Sequence, residues 1–242
     1  MAAYNGWWAK AILIGAVVGA LLLPIGALGS KFGIWSFQTG FLGLAGGTIL
    51  AALGVVLGIV GLIVAFKRNL PGNRPPIYLG LAISVLILAV MGVQFQTASS
   101  VPPIHNISTD VSDPPQFDKV VALRGEGTNP LEFDAATIAP LQAEHYPWVK
   151  SLESQASTAD AFVQMLAVVE GLGLEIVNSD PANGLIEATA TTFWFGFKDD
   201  VAVRVRAADG GSVIDVRSVS RVGLSDLGAN ARRIGEILRA VQ

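Results

Sequence analysis

Four arginines, three serines, an aspartate and an asparagine crowd into the eighteen residues Arg217–Ile234, RSVSRVGLSDLGANARRI. Side chains of these types can hold an anion, activate a hydroxyl or cap a helix. The candidates are Arg217, Ser220, Arg221, Ser225, Asp226, Asn230 and Arg233. The stretch reads as the end of a strand, a tight turn and the start of a last helix. A helix N-terminus flanked by Arg221 and Arg233 would suit an anionic ligand such as a lipid head group or a partner's carboxylate. Asp226 would compete for that positive end. A serine-type hydrolase would need Ser225, Asp226 and a histidine brought in from elsewhere. In Gly223-Leu-Ser225-Asp-Leu-Gly228 the second glycine falls one residue late for a nucleophile elbow. The third reading is structural. Ser225 would be the N-cap and Asp226 would complement the helix dipole. Gly223 would permit an unusual backbone angle, and Asn230 and Arg233 would bond the incoming chain. This reading fits best, so no residue is assigned as catalytic and no cofactor is expected.

Other chemistries have thinner support. The chain has no cysteine, which excludes disulfides, thiolate catalysis and Cys-based metal sites. His105, Asp110 and Asp113 are metal-ligand types, but they and His145 lack any recognised ligand spacing, so no metal site is expected. Asp199 and Asp200 are adjacent, so an extended chain points them to opposite sides, a poor pair for acid–base work. Phosphate loops and dinucleotide fingerprints are absent from the sequence.

The elements that would position the Arg217–Ile234 stretch can be read upstream of it. Ser157–Leu172 is an amphipathic helix with Phe162, Met165, Leu166 and Val169 on one face. Four strands follow at Leu174–Asn178, Leu185–Thr192, Asp200–Ala207 and Ser212–Val219. Asn183-Gly184 and Asp209-Gly210-Gly211 supply hairpin turns. Alternation gives the last two strands an apolar face. Their opposite face carries Arg204, Arg206, Asp215, Arg217 and, from the second strand, Glu187, expected as a solvated ionic ladder. The last helix would bury Leu227, Ala231, Ile234, Leu238 and Val241. The expected domain is a two-layer α+β fold, a four-stranded antiparallel sheet with two helices on its apolar face. Residues 105–157, rich in Pro and Asp, should wrap this core irregularly, with one short helix near Asp134–Gln142. Thr191–Asp200, TTFWFGFKDD, puts four aromatics into five positions, as core filler at a bend or as a bilayer or partner contact.

The first hundred residues differ in kind. They hold five basic residues and no acid; the other 11 of the 16 basic residues and all 19 acids follow. An acidic domain argues against nucleic acid as a partner. About 20 apolar residues cross a bilayer as a helix, and three such spans occur at about 9–28, 40–66 and 77–95. The division is then residues 1–96 as a three-helix transmembrane bundle, 97–104 as a linker and 105–242 as the α+β domain. Lys67, Arg68 and Arg74 in the second loop, against Lys31 alone in the first, place the N-terminus in the cytoplasm and the domain outside it. The expected location is the inner (plasma) membrane, with the domain on its non-cytoplasmic side. The lipid bilayer is one partner. Small residues at four-residue spacing, Gly15/Gly19, Gly43/Gly47/Ala51 and Gly54/Gly58, suit close helix packing within the bundle, or a homo-oligomer or membrane-protein partner. Spans without charge at depth are unlike those of pumps and transporters.

Five segments form a wider pattern: IHNISTD, DPPQF, EHYP, TTFWFGFKDDVAVRV and VRSVSRVGLSDLGANARRI. Over residues 104–242 the chain resembles the bacterial and plastid family called domain of unknown function 1499 (DUF1499). Members of that family often carry hydrophobic helices ahead of the domain, as here. The resemblance implies a domain boundary and a bacterial envelope setting, which would make the domain periplasmic, and it brings no activity with it. The functional expectation is a multi-pass membrane protein presenting an interaction or assembly domain without catalysis, with the anion-binding and hydrolase readings as alternatives.

Overall fold

The computed structural model describes residues 6–241. The chain divides into two compact units. One runs to Thr97 and includes Phe193–Gly196; the other comprises Ala98–Thr192 and the chain from Phe197 onward.

The first unit is built on three helices, α1 (Trp7–Lys31), α2 (Phe37–Lys67) and α3 (Arg74–Ser100). All three are long and apolar enough to cross a membrane. Their 25, 31 and 27 residues exceed the roughly 20 that a bilayer core requires. α3 runs on to Ser100, so four residues expected in a linker are helical. Glycines set the approach of α1 to α2. A Cβ at Gly26 would fall 2.7 Å from the Gly40 carbonyl, and one at Gly47 would fall 2.6 Å from the Gly19 carbonyl. Neither position can carry a larger side chain without parting the helices. Gly15, expected to share in this packing, has nothing within 4 Å of its Cβ position.

The second unit is α+β, with a sheet of six strands rather than four. The strands are β1 (Asn106–Ser108), β2 (Leu152–Ser154), β3 (Glu175–Asp180), β4 (Leu185–Thr191), β5 (Lys198–Ala208) and β6 (Gly211–Ser220). The order is β1-β6-β5-β4-β3, all antiparallel, and β2 shares the outer edge of β6 with β1. β1 pairs with Arg217–Val219 and β2 with Ser212–Ile214. The two short strands thereby cover an edge that would otherwise be bare. At three residues each, in Pro- and Asp-rich chain, they are too short to show alternation.

Three helices complete the unit, α4 (Ala135–His145), α5 (Thr158–Gly171) and α6 (Ala229–Arg239). Asp134 caps α4 by accepting the Thr137 N–H at 3.2 Å. Ser157 caps α5 by accepting the Asp160 N–H, also at 3.2 Å, and its hydroxyl donates to the Asp160 carboxylate at 2.7 Å. The apolar stripe of α5 (Phe162, Met165, Val169) and that of α6 (Ile234, Ile237, Leu238) bury Ile186, Val201, Val203, Ile214 and Val216 of the sheet. Leu227, expected in the α6 stripe, precedes the helix and is 37% exposed, while Ile237 takes a buried place.

Candidate functional site

The β-strand register sorts the polar side chains onto two faces. Opposite the helices lie Glu187 and Thr189 of β4, Asp200, Arg204 and Arg206 of β5, and Asp215 and Arg217 of β6. This is the expected ionic face, but it is not solvated. Glu187, Asp200, Asp215 and Arg217 are all at most 1% exposed. The chain between Ile107 and Leu131 accounts for the difference, because its backbone and side chains supply many of their partners.

Each buried carboxylate organises its own set of donors. Asp200 receives Arg221 Nη2 at 2.8 Å, Arg221 Nε at 3.0 Å and the Thr189 hydroxyl at 3.0 Å, and it pairs with Arg124. Glu187 accepts three consecutive backbone N–H groups, from Asp118, Lys119 and Val120, at 2.7, 2.9 and 3.2 Å. The Asn178 amide donates to it as well, at 2.9 Å. Asp215 accepts from Arg206 at 2.7 Å, Arg204 at 3.0 Å and the Ser151 hydroxyl at 2.5 Å. Arg204 reaches outward to the Asp113 carboxylate at 2.8 Å.

Arg217 has no carboxylate. It donates to Asn106 Oδ1 and the Pro115 carbonyl, each at 3.1 Å, and to the Leu131 carbonyl. Its guanidinium lies 5.2 Å and 5.6 Å from the Phe117 and Phe133 ring centroids. Burial, helped by the Arg124 charge, lowers its pKa to about 10, so it stays charged at neutral pH.

The helix-facing side carries the rest of the candidate residues. Arg233 pairs with Asp199 at 2.7 Å and donates to Asn230 Oδ1 at 2.7 Å and the Ser218 hydroxyl at 2.9 Å. The Asn230 amide donates to the His105 carbonyl and to the Ser220 hydroxyl, both at 3.0 Å. Asn230 thus ties α6 to the chain entering β1. Asp199 and Asp200 do point to opposite faces, as adjacent strand residues must.

The turn into α6 differs from the expected cap. Gly228, at φ +74°, holds the N-cap position, and Ser225 does not. Asp226 does the capping with both oxygens. It accepts the Gly228 N–H at 2.7 Å and the Asn230 N–H at 2.8 Å. Burial raises its pKa above the usual carboxylate value. Ser225 accepts the Leu227 N–H at 3.3 Å and donates to the Pro102 carbonyl at 3.4 Å. Gly223 takes φ +92°, a region that favours glycine.

These bonds bear on chemistry. The His105 ring meets the Leu224 carbonyl at 3.4 Å, one residue from Ser225, and His145 meets the Leu141 carbonyl of its own helix. Neither ring bonds the Ser225 hydroxyl. Both Arg221 and Arg233 are neutralised by buried aspartates. Among the described residues no three His, Asp or Glu side chains gather as a metal site. The Tyr146 hydroxyl is the one buried side-chain polar atom of this unit left without a hydrogen bond among the described residues. The arrangement is a saturated network. Sequence reasoning placed Glu187, Arg204, Arg206, Asp215 and Arg217 on this face but missed Thr189, Asp200 and Arg124, the last in a loop with no periodicity to place it.

No curated protein matches the chain. A family model described as Protein of unknown function (DUF1499) matches residues 106–241, from the first residue of β1 to the last turn of the chain. That span takes in every strand and both layers of the domain, and it is more than half of the protein. The chain therefore belongs to the DUF1499 family, with three long apolar helices ahead of the family domain.

Proposed function

We propose that this is a membrane-anchored, non-catalytic protein whose C-terminal domain serves as a rigid interaction or assembly module on the outer side of the plasma membrane. One observation carries the non-catalytic reading. Each residue that could act as nucleophile, base or anion ligand in Arg217–Ile234 is already bonded within the domain. An active site keeps polar groups free for its substrate, and among the described residues the Tyr146 hydroxyl is the one buried side-chain polar atom of this unit without a partner. Saturation also suits a scaffold, because cross-linked polar networks fix one arrangement of chain. The charge asymmetry of the loops supports the orientation: Lys67, Arg68 and Arg74 flank the second turn between helices, and positive loops stay in the cytoplasm.

Contact with a partner would use exposed apolar side chains. Leu224, 80% exposed, stands in the turn before α6, and Val163, 66% exposed, stands on α5. Two experiments test the reading. A reporter fused after Ser100 should be active if it requires export and silent if it requires the cytoplasm; the reverse pattern overturns the orientation. A photo-crosslinking residue at Leu224 should give a discrete adduct in intact membranes. Absence of an adduct there and at Val163 counts against an interaction module.

A further inference from the structure

We infer that the helical unit binds one anionic phospholipid, its acyl chain laid in a groove between α1 and α2 and its head group met by Arg68. The inference rests on the membrane placement proposed above and goes beyond it. The groove has a volume of about 570 Å³. One wall is a stripe of α2, Leu53, Leu57, Val60 and Val64, ending at Arg68. These positions recur at three- and four-residue spacing and so share one helix face. The other wall belongs to α1 and includes Trp8 and Gly15. Gly15 has nothing within 4 Å of its Cβ position, so the absent side chain opens the groove there.

Dimensions choose between occupants. From Leu50 of α2 to Arg68, the residue that ends it, the groove runs about 27 Å at 1.5 Å per residue. Its mean cross-section is then about 21 Å². A hydrocarbon chain packed at carbon–carbon distances of about 4 Å needs about 16 Å². A helix about 10 Å across and as long would fill about 2,000 Å³, several times the available volume. The groove has the length and section for one extended acyl chain and is too narrow for a partner's helix to lie within it.

Charge selects the head group. Among the described residues, Arg68 is the one charged side chain lining the groove. The helical unit contains no Asp or Glu at all, so no side chain within it can neutralise Arg68, Lys67 or Arg74. A counter-charge can come only from outside the unit, and at the end of an apolar groove a lipid phosphate bearing net negative charge is placed to supply it.

The test is native mass spectrometry of the full chain, reconstituted in vesicles of equal parts phosphatidylglycerol and phosphatidylcholine and released in mild detergent. The expected result is one retained phosphatidylglycerol per chain. Gly15→Leu places its side chain in open groove, without a clash, and should abolish retention. Arg68→Gln should weaken phosphatidylglycerol binding about fivefold, the effect of about 1 kcal/mol per basic residue at a membrane surface, and remove the preference over phosphatidylcholine. Equal retention by the wild type and Gly15→Leu overturns the inference, as does unchanged selectivity in Arg68→Gln. Carbonate washing of the membranes separates the two claims. A chain that stays in the pellet yet holds no lipid sinks the groove alone, whereas a chain released by the wash sinks the membrane placement and the groove together.

Discussion

Replacing Arg217 with methionine asks whether one buried cation holds the covering segment on the sheet. The side chain is 1% exposed and donates to Asn106 Oδ1, the Pro115 carbonyl and the Leu131 carbonyl. Hydrogen bonds from a charged donor contribute about 1.5–3 kcal/mol each, so three contribute about 5–9 kcal/mol. The burial of the charge works the other way. Burial lowers its pKa to about 10, which at about 1.4 kcal/mol per pKa unit corresponds to about 3 kcal/mol that methionine would recover. The expected net loss is about 2–6 kcal/mol. For a domain of this size that lowers the thermal midpoint by about 5–20 °C. The assay is thermal unfolding of the full chain in detergent, with hydrogen exchange to locate the opening. Residues 106–133 should lose protection first, since all three acceptors lie there. Arg217→Lys keeps the charge but not the planar fork, and should fall between the wild type and methionine. A midpoint for Arg217→Met within about 2 °C of the wild type would refute the reasoning. It would mean that water replaces the guanidinium at no cost, and that the segment is held elsewhere.

Three further outcomes follow from the same contacts. Asp200→Asn strands Arg124 and Arg221, whose side chains are 4% and 12% exposed, and should cost about 3–5 kcal/mol in denaturant unfolding. Adding Arg221→Gln to it should cost less than the two single changes summed, and strict additivity would argue against coupling. Asp226 has a folded pKa raised by burial, so the folded state holds its proton to higher pH than the unfolded state. Stability must then fall as pH rises from about 3.9 through the raised value and level off above it. The wild type should therefore gain on Asp226→Asn as pH is lowered through that window, and a gain by the variant instead would reverse the sign of the shift. Gly47→Val would drive a Cβ to 2.6 Å from the Gly19 carbonyl and should lower the yield of folded protein in detergent, whereas Gly15→Ala, with open space around it, should leave the yield unchanged.

What the sequence disclosed depended on how each part of the fold earns its stability. The three apolar helices were legible because a bilayer demands about 20 apolar residues in a row, a signal that needs no partner. The helix α5 and strands β3 to β6 were legible because one face of each meets a core, which imposes a period on the residues. β1 and β2 left no trace. They pair by backbone bonds with the edge of β6, and at three residues each they are too short to show a period even where, as at Ile107, a side chain is buried.

The candidate site divides in the same way. Asp215, Arg217 and Glu187 could be placed on a common face by alternation, but alternation cannot say whether that face is wet. A charged strand face is normally read as solvent-facing, because burying a charge is costly unless a partner satisfies it. Here the partners come from far away in the chain: the backbone of Asp118–Val120 for Glu187, and the carbonyls of Pro115 and Leu131 for Arg217. One clue was available. About fifty residues with no apolar period of their own had to lie on something, and the helices had already claimed the apolar face. A long irregular segment beside a strand face rich in Arg, Asp and Glu is better read as the covering of that face. The same logic moves Arg221 and Arg233 from anion ligands to structural cations, since each has a buried aspartate across the strand or helix from it. A search for function in this family domain therefore begins outside its conspicuous polar stretch, at the exposed Leu224 and Val163 and along the groove of the helices.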